Sequence, residues 1–230
     1  GVIDVHYVDV REGRLTGTGT IRTGSGPIDG QVENIGGVVA PGYGIGVLEI
    51  EGRYSNGVGS VLSIDLRGSV AGVDYDQVLV DGPVTLNGIL RVALVDQFVP
   101  SLGDVFSILV HTEQGAGEFA ELQLPDLPPD RSWHVAYEIG GVDLIVAGQG
   151  DFNVDGRVDQ DDLAAWEDAF GQTYAGGDFL NWQRRFGGGA SNTSVPEPPA
   201  SAVALLAIAS WLTRRVSSQR ARSEACRRLG

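Results

Sequence analysis

The sequence predicts a mainly β protein: a right-handed parallel β-solenoid, or a β-sandwich at its C-terminal part, then a small α-helical module and a C-terminal transmembrane helix. Three observations lead there. Short Val/Ile/Leu runs with period-two alternation fill residues 1–150, punctuated by glycine-containing turns. A carboxylate-rich loop and two short aromatic repeats follow in 151–187. A 13-residue apolar run, Ala200–Leu212, then precedes an arginine cluster.

Charge divides the chain in the same places. The 230 residues carry a net charge of −14, and all 16 basic residues are Arg. Residues 1–150 hold −13, residues 151–190 hold −5 and residues 191–230 hold +4. A body this acidic is not expected to bind nucleic acid, which needs clustered cations against phosphate. One Cys excludes an internal disulfide and a Cys-based zinc site. With no Met, the chain is expected to lack its first residues, a signal peptide among them.

In the first segment, 1–148, strands are expected at Gly46–Gly52, Ser60–Leu66, Gln77–Val80, Gly88–Val95 and Val105–Val110. In Val61–Leu66, Leu62, Ile64 and Leu66 alternate with Ser63 and Asp65, so one face turns inward. The pairs Asn56-Gly57, Asp81-Gly82, Asn87-Gly88 and Gly140-Gly141 provide the positive φ angles of turns. The Thr/Gly ladder of Leu15–Ile21 and the run Gly30–Gly42, with Asn34, favour stacked coils. A repeat of roughly 20 residues would give about six or seven of them. This segment offers no nucleophile elbow, P-loop or zinc-protease pattern. His6, His111 and His134 lie far apart and read as surface or packing residues. Asp74 and Asp76 read as a solvated acidic turn rather than an acid/base couple.

The strings Leu15–Gly42, Tyr75–Leu90 and Pro100–Leu109 resemble the autotransporter-associated and haemagglutinin-like β-helix repeats of bacterial surface proteins. That resemblance covers about 15–147 and implies a structural or adhesive passenger, not an enzyme.

The second segment, 149–187, opens on a twelve-position loop with EF-hand spacing, Asp151–Asp162. Asp151, Asn153, Asp155, Asp159 and Asp162 offer side-chain oxygens at positions 1, 3, 5, 9 and 12. Arg157 offers a backbone carbonyl at position 7, and Gly156 permits the sharp turn. Hard oxygens at this spacing suit Ca2+, which takes six to eight of them. Leu163, Trp166 and Phe170 then share one helix face. Asp162, Trp166, Phe170 and Gly171 recur sixteen positions on as Asp178, Trp182, Phe186 and Gly187, so two helices are expected to pack through Trp and Phe. The segment resembles a type I dockerin. Residues 172–177 are too few for that family's second Ca2+ loop. Gln160 and Asp161 stand where dockerins place the small hydroxyl residues that engage cohesin, so cohesin is a doubtful partner.

Residues 188–199 read as a flexible linker. Pro196-Glu197-Pro198, then the apolar run within 200–213, then Arg214-Arg215 in a basic tail of 214–230, resemble the PEP-CTERM sorting signal. It implies export, membrane retention through the C-terminal helix, and processing by an exosortase-type enzyme. At about 20 Å as a helix, the apolar run falls short of a full bilayer span. The basic tail marks the inner side. Together these readings describe an exported surface protein of structural or adhesive role; the alternative is an enzyme or carbohydrate-binding protein acting on extracellular polysaccharide.

Overall fold

The structure is a computed structural model and describes residues 1–24, 30–171 and 173–186. Fifteen strands form five rungs of three. The first rung is β1 (Val2–Val5), β2 (Tyr7–Val10) and β3 (Arg14–Gly17). The second is β4 (Gly19–Thr23), β5 (Gln31–Asn34) and β6 (Val38–Pro41). The third is β7 (Val47–Glu51), β8 (Arg53–Asn56) and β9 (Val61–Leu66). The fourth is β10 (Gln77–Asp81), β11 (Val84–Leu86) and β12 (Ile89–Leu94). The fifth is β13 (Val105–His111), β14 (Ala116–Gly117) and β15 (Glu121–Gln123).

Every third strand pairs in parallel with its counterpart on the next rung, which builds three sheets: A from β1, B from β2 and C from β3. This is a right-handed parallel β-solenoid of about four turns from first rung to last. The strands form because alternate apolar residues on the inner rungs can be buried together, while those on the end rungs, Ile3 and Leu122, stay exposed. Register aligns Leu15, Val39, Leu62, Leu90 and Leu122 in one column of sheet C. Ile3, Ile21, Ile50, Val80 and His111 form another in sheet A. Each fully buried Leu or Val contributes about 1.5–3 kcal/mol of burial, so the columns carry the fold.

The coils are longer and fewer than the expected six or seven of roughly 20 residues. Tyr7 aligns with Gln31, Gln31 with Arg53, Tyr54 with Val84 and Thr85 with Ala116, offsets of 24, 22, 30 and 31 residues. Strand lengths change little. The growth lies in the corners from sheet C to sheet A, where residues 67–76 and 95–104 contain no strand.

Corners hold by backbone and amide chemistry. At the A–B corner Gly82 (φ = +155°) approaches Gly52 so closely that a Cβ there would meet the Gly52 carbonyl oxygen at 2.5 Å, which only glycine avoids. At the B–C corner Asn34 Nδ2 donates to Asn56 Oδ1 (3.0 Å) and Asn56 Nδ2 donates to the Asn87 carbonyl (2.8 Å). Asn34 and Asn56 are buried, so these bonds satisfy groups that water cannot reach.

The C-terminal end does not open into a second sheet. Instead a hairpin, β16 (Arg131–Glu138) and β17 (Gly141–Gly148), extends sheet A, with β17 antiparallel to β13. Trp133, Val135 and Tyr137 of β16 rest on the solenoid core. Two helices follow, α1 (Gln160–Ala169) and α2 (Gly176–Arg185), in one compact unit with the solenoid. Among the described residues no helix is long and apolar enough to cross a membrane. The linker, the apolar run within 200–213 and the basic tail lie outside the described residues.

Candidate functional site

The loop Asp151–Asp162 leaves the end of β17 and enters α1. Its two outer carboxylates are buried, Asp151 at 5 % exposure and Asp162 at 0 %. Asp151 accepts N–H bonds from Asp155 (3.1 Å) and Gly156 (3.0 Å). Asp162 accepts from Phe152 (2.7 Å), Asn153 (3.1 Å) and Asp159 (2.7 Å). The chain thus wraps around both ends of the spacing. Val154 stands at φ = +60° and Gly156 at φ = +84°. A left-handed Val is strained, and it sits just before the Asp155 N–H that Asp151 and Asn153 both accept.

Burial pushes the Asp151 carboxyl above its ordinary value. The charges of Asp162 and Asp155 push the same way, while the Gly156 and Asp155 N–H groups oppose them. Negative charge here is electrostatically unfavourable in the chain alone.

Asn153, Asp155 and Asp159 are turned to local N–H groups, those of Asp155, Arg157 and Asp161. Among the described residues no three His, Cys, Asp or Glu side chains converge closely enough to hold a metal ion. The donor chemistry still suits a hard cation. The Asp151, Asp155 and Asp159 carboxylates use their oxygens as acceptors from N–H, with lone pairs remaining, and among the described residues none is paired with a cationic side chain.

The sixteen-residue repeat is structural. Asp162 accepts the N–H of Asp159 at the start of α1, and Asp178 accepts that of Ala175 (2.8 Å) at the start of α2. Asp159 completes a capping box, whereas Ala175 offers no side-chain acceptor. The aromatic residues form one chain of rings: Phe170, Trp166, Phe179, Trp182 and Phe186, with centroids 4.7–5.5 Å apart. This is the expected helix–helix contact, but only Trp182 is buried; Phe170 and Phe186 remain half exposed.

Trp182 also ties α2 to the loop, since its Nε1 donates to the Asp159 carbonyl at 2.7 Å. Arg185 reaches back to the Pro129 carbonyl (2.8 Å) before β16. Sequence reasoning misses both ties, because neither depends on local spacing.

A second feature runs along the A–B corner. Asp4, Arg22, Glu51 and Asp81 align in register on successive rungs. They line a groove of about 860 Å³, with Arg53 and Glu113. Arg22 pairs with Glu51 at 2.8 Å, and Thr112 donates to Asp81. Glu51 and Asp81 are adjacent like charges, an arrangement that opposes strand pairing.

The histidines stay apart. His6 is exposed beside Tyr7, His111 closes a core column, and His134 is half-buried with its pKa lowered by burial. Asp74 is a half-buried turn residue whose carboxylate accepts the Val70 N–H, and Asp76 is 1 % exposed and not a solvated turn. Its two oxygens accept the N–H groups of Gly46 (2.8 Å) and Asp65 (2.9 Å), stapling neighbouring rungs. Pro196, Glu197, Pro198, Arg214 and Arg215 lie outside the described residues. No protein-family profile matches the chain, and no curated protein is similar to it.

Proposed function

We propose that the chain is an exported surface protein of structural or adhesive role. The solenoid is its displayed body, the loop Asp151–Asp162 a Ca2+ site that stiffens the junction to α1 and α2, and the tail a PEP-CTERM-like sorting signal read by an exosortase-type enzyme. The observation that carries this reading is the loop: two buried carboxylates at its ends, held by five backbone N–H bonds and, among the described residues, paired with no cationic side chain. Bound Ca2+ would supply the missing positive charge; Asp151, Asn153, Asp155, Asp159, Asp162 and the Arg157 carbonyl would hold it.

Calorimetric titration of the full chain with Ca2+ tests the loop. One site is expected, with most affinity lost in Asp155→Ala; unchanged binding in that variant refutes the assignment. Deleting 195–215 should release the protein from the membrane fraction, and unaltered retention contradicts the sorting role.

The groove at the A–B corner favours a second reading, an enzyme or binding protein for extracellular polysaccharide. Turnover of polysaccharide by the intact chain, lost in Glu51→Gln or Asp81→Asn, would replace the structural reading with this one.

A further inference from the structure

Sheet A ends at β16, and a cleft of about 230 Å³ lies along the outer edge of that strand. The Gln149 N–H donates to the Asp130 carbonyl, and the Arg131 N–H turns the other way, to Pro128. Pairing is regular along the hairpin, so even-numbered residues of β16 bond to β17 and odd-numbered ones point their backbone groups outward. Trp133 therefore presents its N–H and C=O to the cleft, with no partner for either among the described residues. Ser132 and His134, on either side of it, line the same wall.

The start of α2 gives a second wall. Asp178, Asn181 and Arg185 stand at i, i+3 and i+7, on one helix face. Arg185 fixes that face beside β16 through the Pro129 carbonyl (2.8 Å). Phe152 and Tyr174 give the apolar side, half-buried rings with centroids 4.6 Å apart. Ser132, His134, Gln149 and Asn181 are half-buried around the cleft, and their side chains make no hydrogen bond within the described chain. Burial lowers the His134 pKa, so its ring is neutral at pH 7. Asp178 accepts the Ala175 N–H with one oxygen, which leaves the other for a ligand. Asp151 also borders the cleft, but each of its oxygens already accepts an N–H.

We propose that this cleft binds one neutral sugar ring. Hydroxyl, amide and neutral imidazole groups each donate and accept, as every sugar hydroxyl does. Ser132, His134, Gln149 and Asn181, with the Trp133 backbone, answer such hydroxyls in both roles, and Asp178 accepts from one of them. The C–H groups of the ring pack against Phe152 and Tyr174. An anion would meet the Asp178 and Asp151 carboxylates, and a cation would leave the N–H donors unanswered. Pockets for drug-sized ligands run to about 300–1,000 Å³, so this smaller cleft takes a single ring. The site does not rest on the Ca2+ reading, because none of the groups that bond the sugar is a loop ligand, and it is separate from the A–B groove.

The test titrates the full chain, followed by NMR, with the methyl glycosides of glucose, galactose and mannose. Methyl glucuronide and methylguanidinium serve as the charged probes. At least one neutral glycoside should bind with a Kd of about 1 mM or tighter, and both charged probes at least about tenfold more weakly. Amide shifts should centre on Trp133 and Asn181. Ser132→Ala and Asn181→Ala remove no bond within the described chain, and each should weaken binding about tenfold. Gln183→Ala, at an exposed position of α2, should leave it unchanged. Binding by none of the three glycosides overturns the proposal, as does equal or tighter binding of a charged probe, or full affinity in both variants. Shifts confined to Arg22, Glu51 and Asp81 overturn it too, since the sugar is then held in the A–B groove.

Discussion

The solenoid and the loop–helix module are held together by opposite means. In the solenoid, each residue repeats a neighbour's role one rung away: Leu62 lies between Val39 and Leu90, and Asn56 relays the bond from Asn34. In the module each tie is made once and not repeated: Trp182 bonds α2 to the loop, Tyr174 packs on Phe152, and Asp162 gathers three loop N–H groups. Redundant columns spread a defect; single ties concentrate it.

The largest effects should separate the two. Leu62→Ala, at a fully buried site, should lower unfolding stability by about 2–5 kcal/mol in one transition seen by circular dichroism. Trp182→Ala removes comparable packing, about 3–5 kcal/mol, together with the bond to Asp159. It should instead detach the helical signal and melt it below the β signal. A single shared transition in both variants would break the comparison.

Next in size is a pH effect within the solenoid. Burial raises the Asp76 carboxyl to about 7, against the pull of its two N–H donors. The folded chain then holds a proton that the unfolded chain releases above the usual carboxylate range. Its contribution is full below about pH 4 and is lost as pH rises toward 7, by up to about 4 kcal/mol. Denaturant midpoints should therefore fall more from acid to neutral pH in the native protein than in Asp76→Asn. Parallel slopes would contradict this.

Most of the β structure was legible because period-two alternation survives any environment that buries one face, as Val61–Leu66 illustrates. The coil length was not. The strandless corners at 67–76 and 95–104 carry Gly, Val and Asp much as the strands' own turns do, so nothing local marks them as insertions. Asp76 was misread for a related reason: whether an acidic residue in a turn is solvated depends on which rung lies over it. In the module, the Asp162/Asp178 repeat was legible because capping acts over three residues. The half exposure of Phe170 and Phe186 was not, since helical spacing shows which residues share a face but not what covers it.

Smaller effects sharpen the picture. Asn56→Ala leaves Asn34 Nδ2 and the Tyr54 hydroxyl each short of a partner and should cost about 2 kcal/mol, read from the denaturant midpoint. Arg22→Gln breaks an exposed pair with Glu51; such pairs contribute little in salt. No resolvable change in melting temperature is expected, and a clear drop would make the A–B corner structural.

Amide hydrogen exchange of the full chain, with and without Ca2+, tests the central claim most directly. Ca2+ should slow exchange at Phe152, Asp155, Gly156 and Asp159 and along α1 and α2, while the five rungs stay unchanged. Unaltered exchange in 151–186, or a change spread evenly over the rungs, would contradict it.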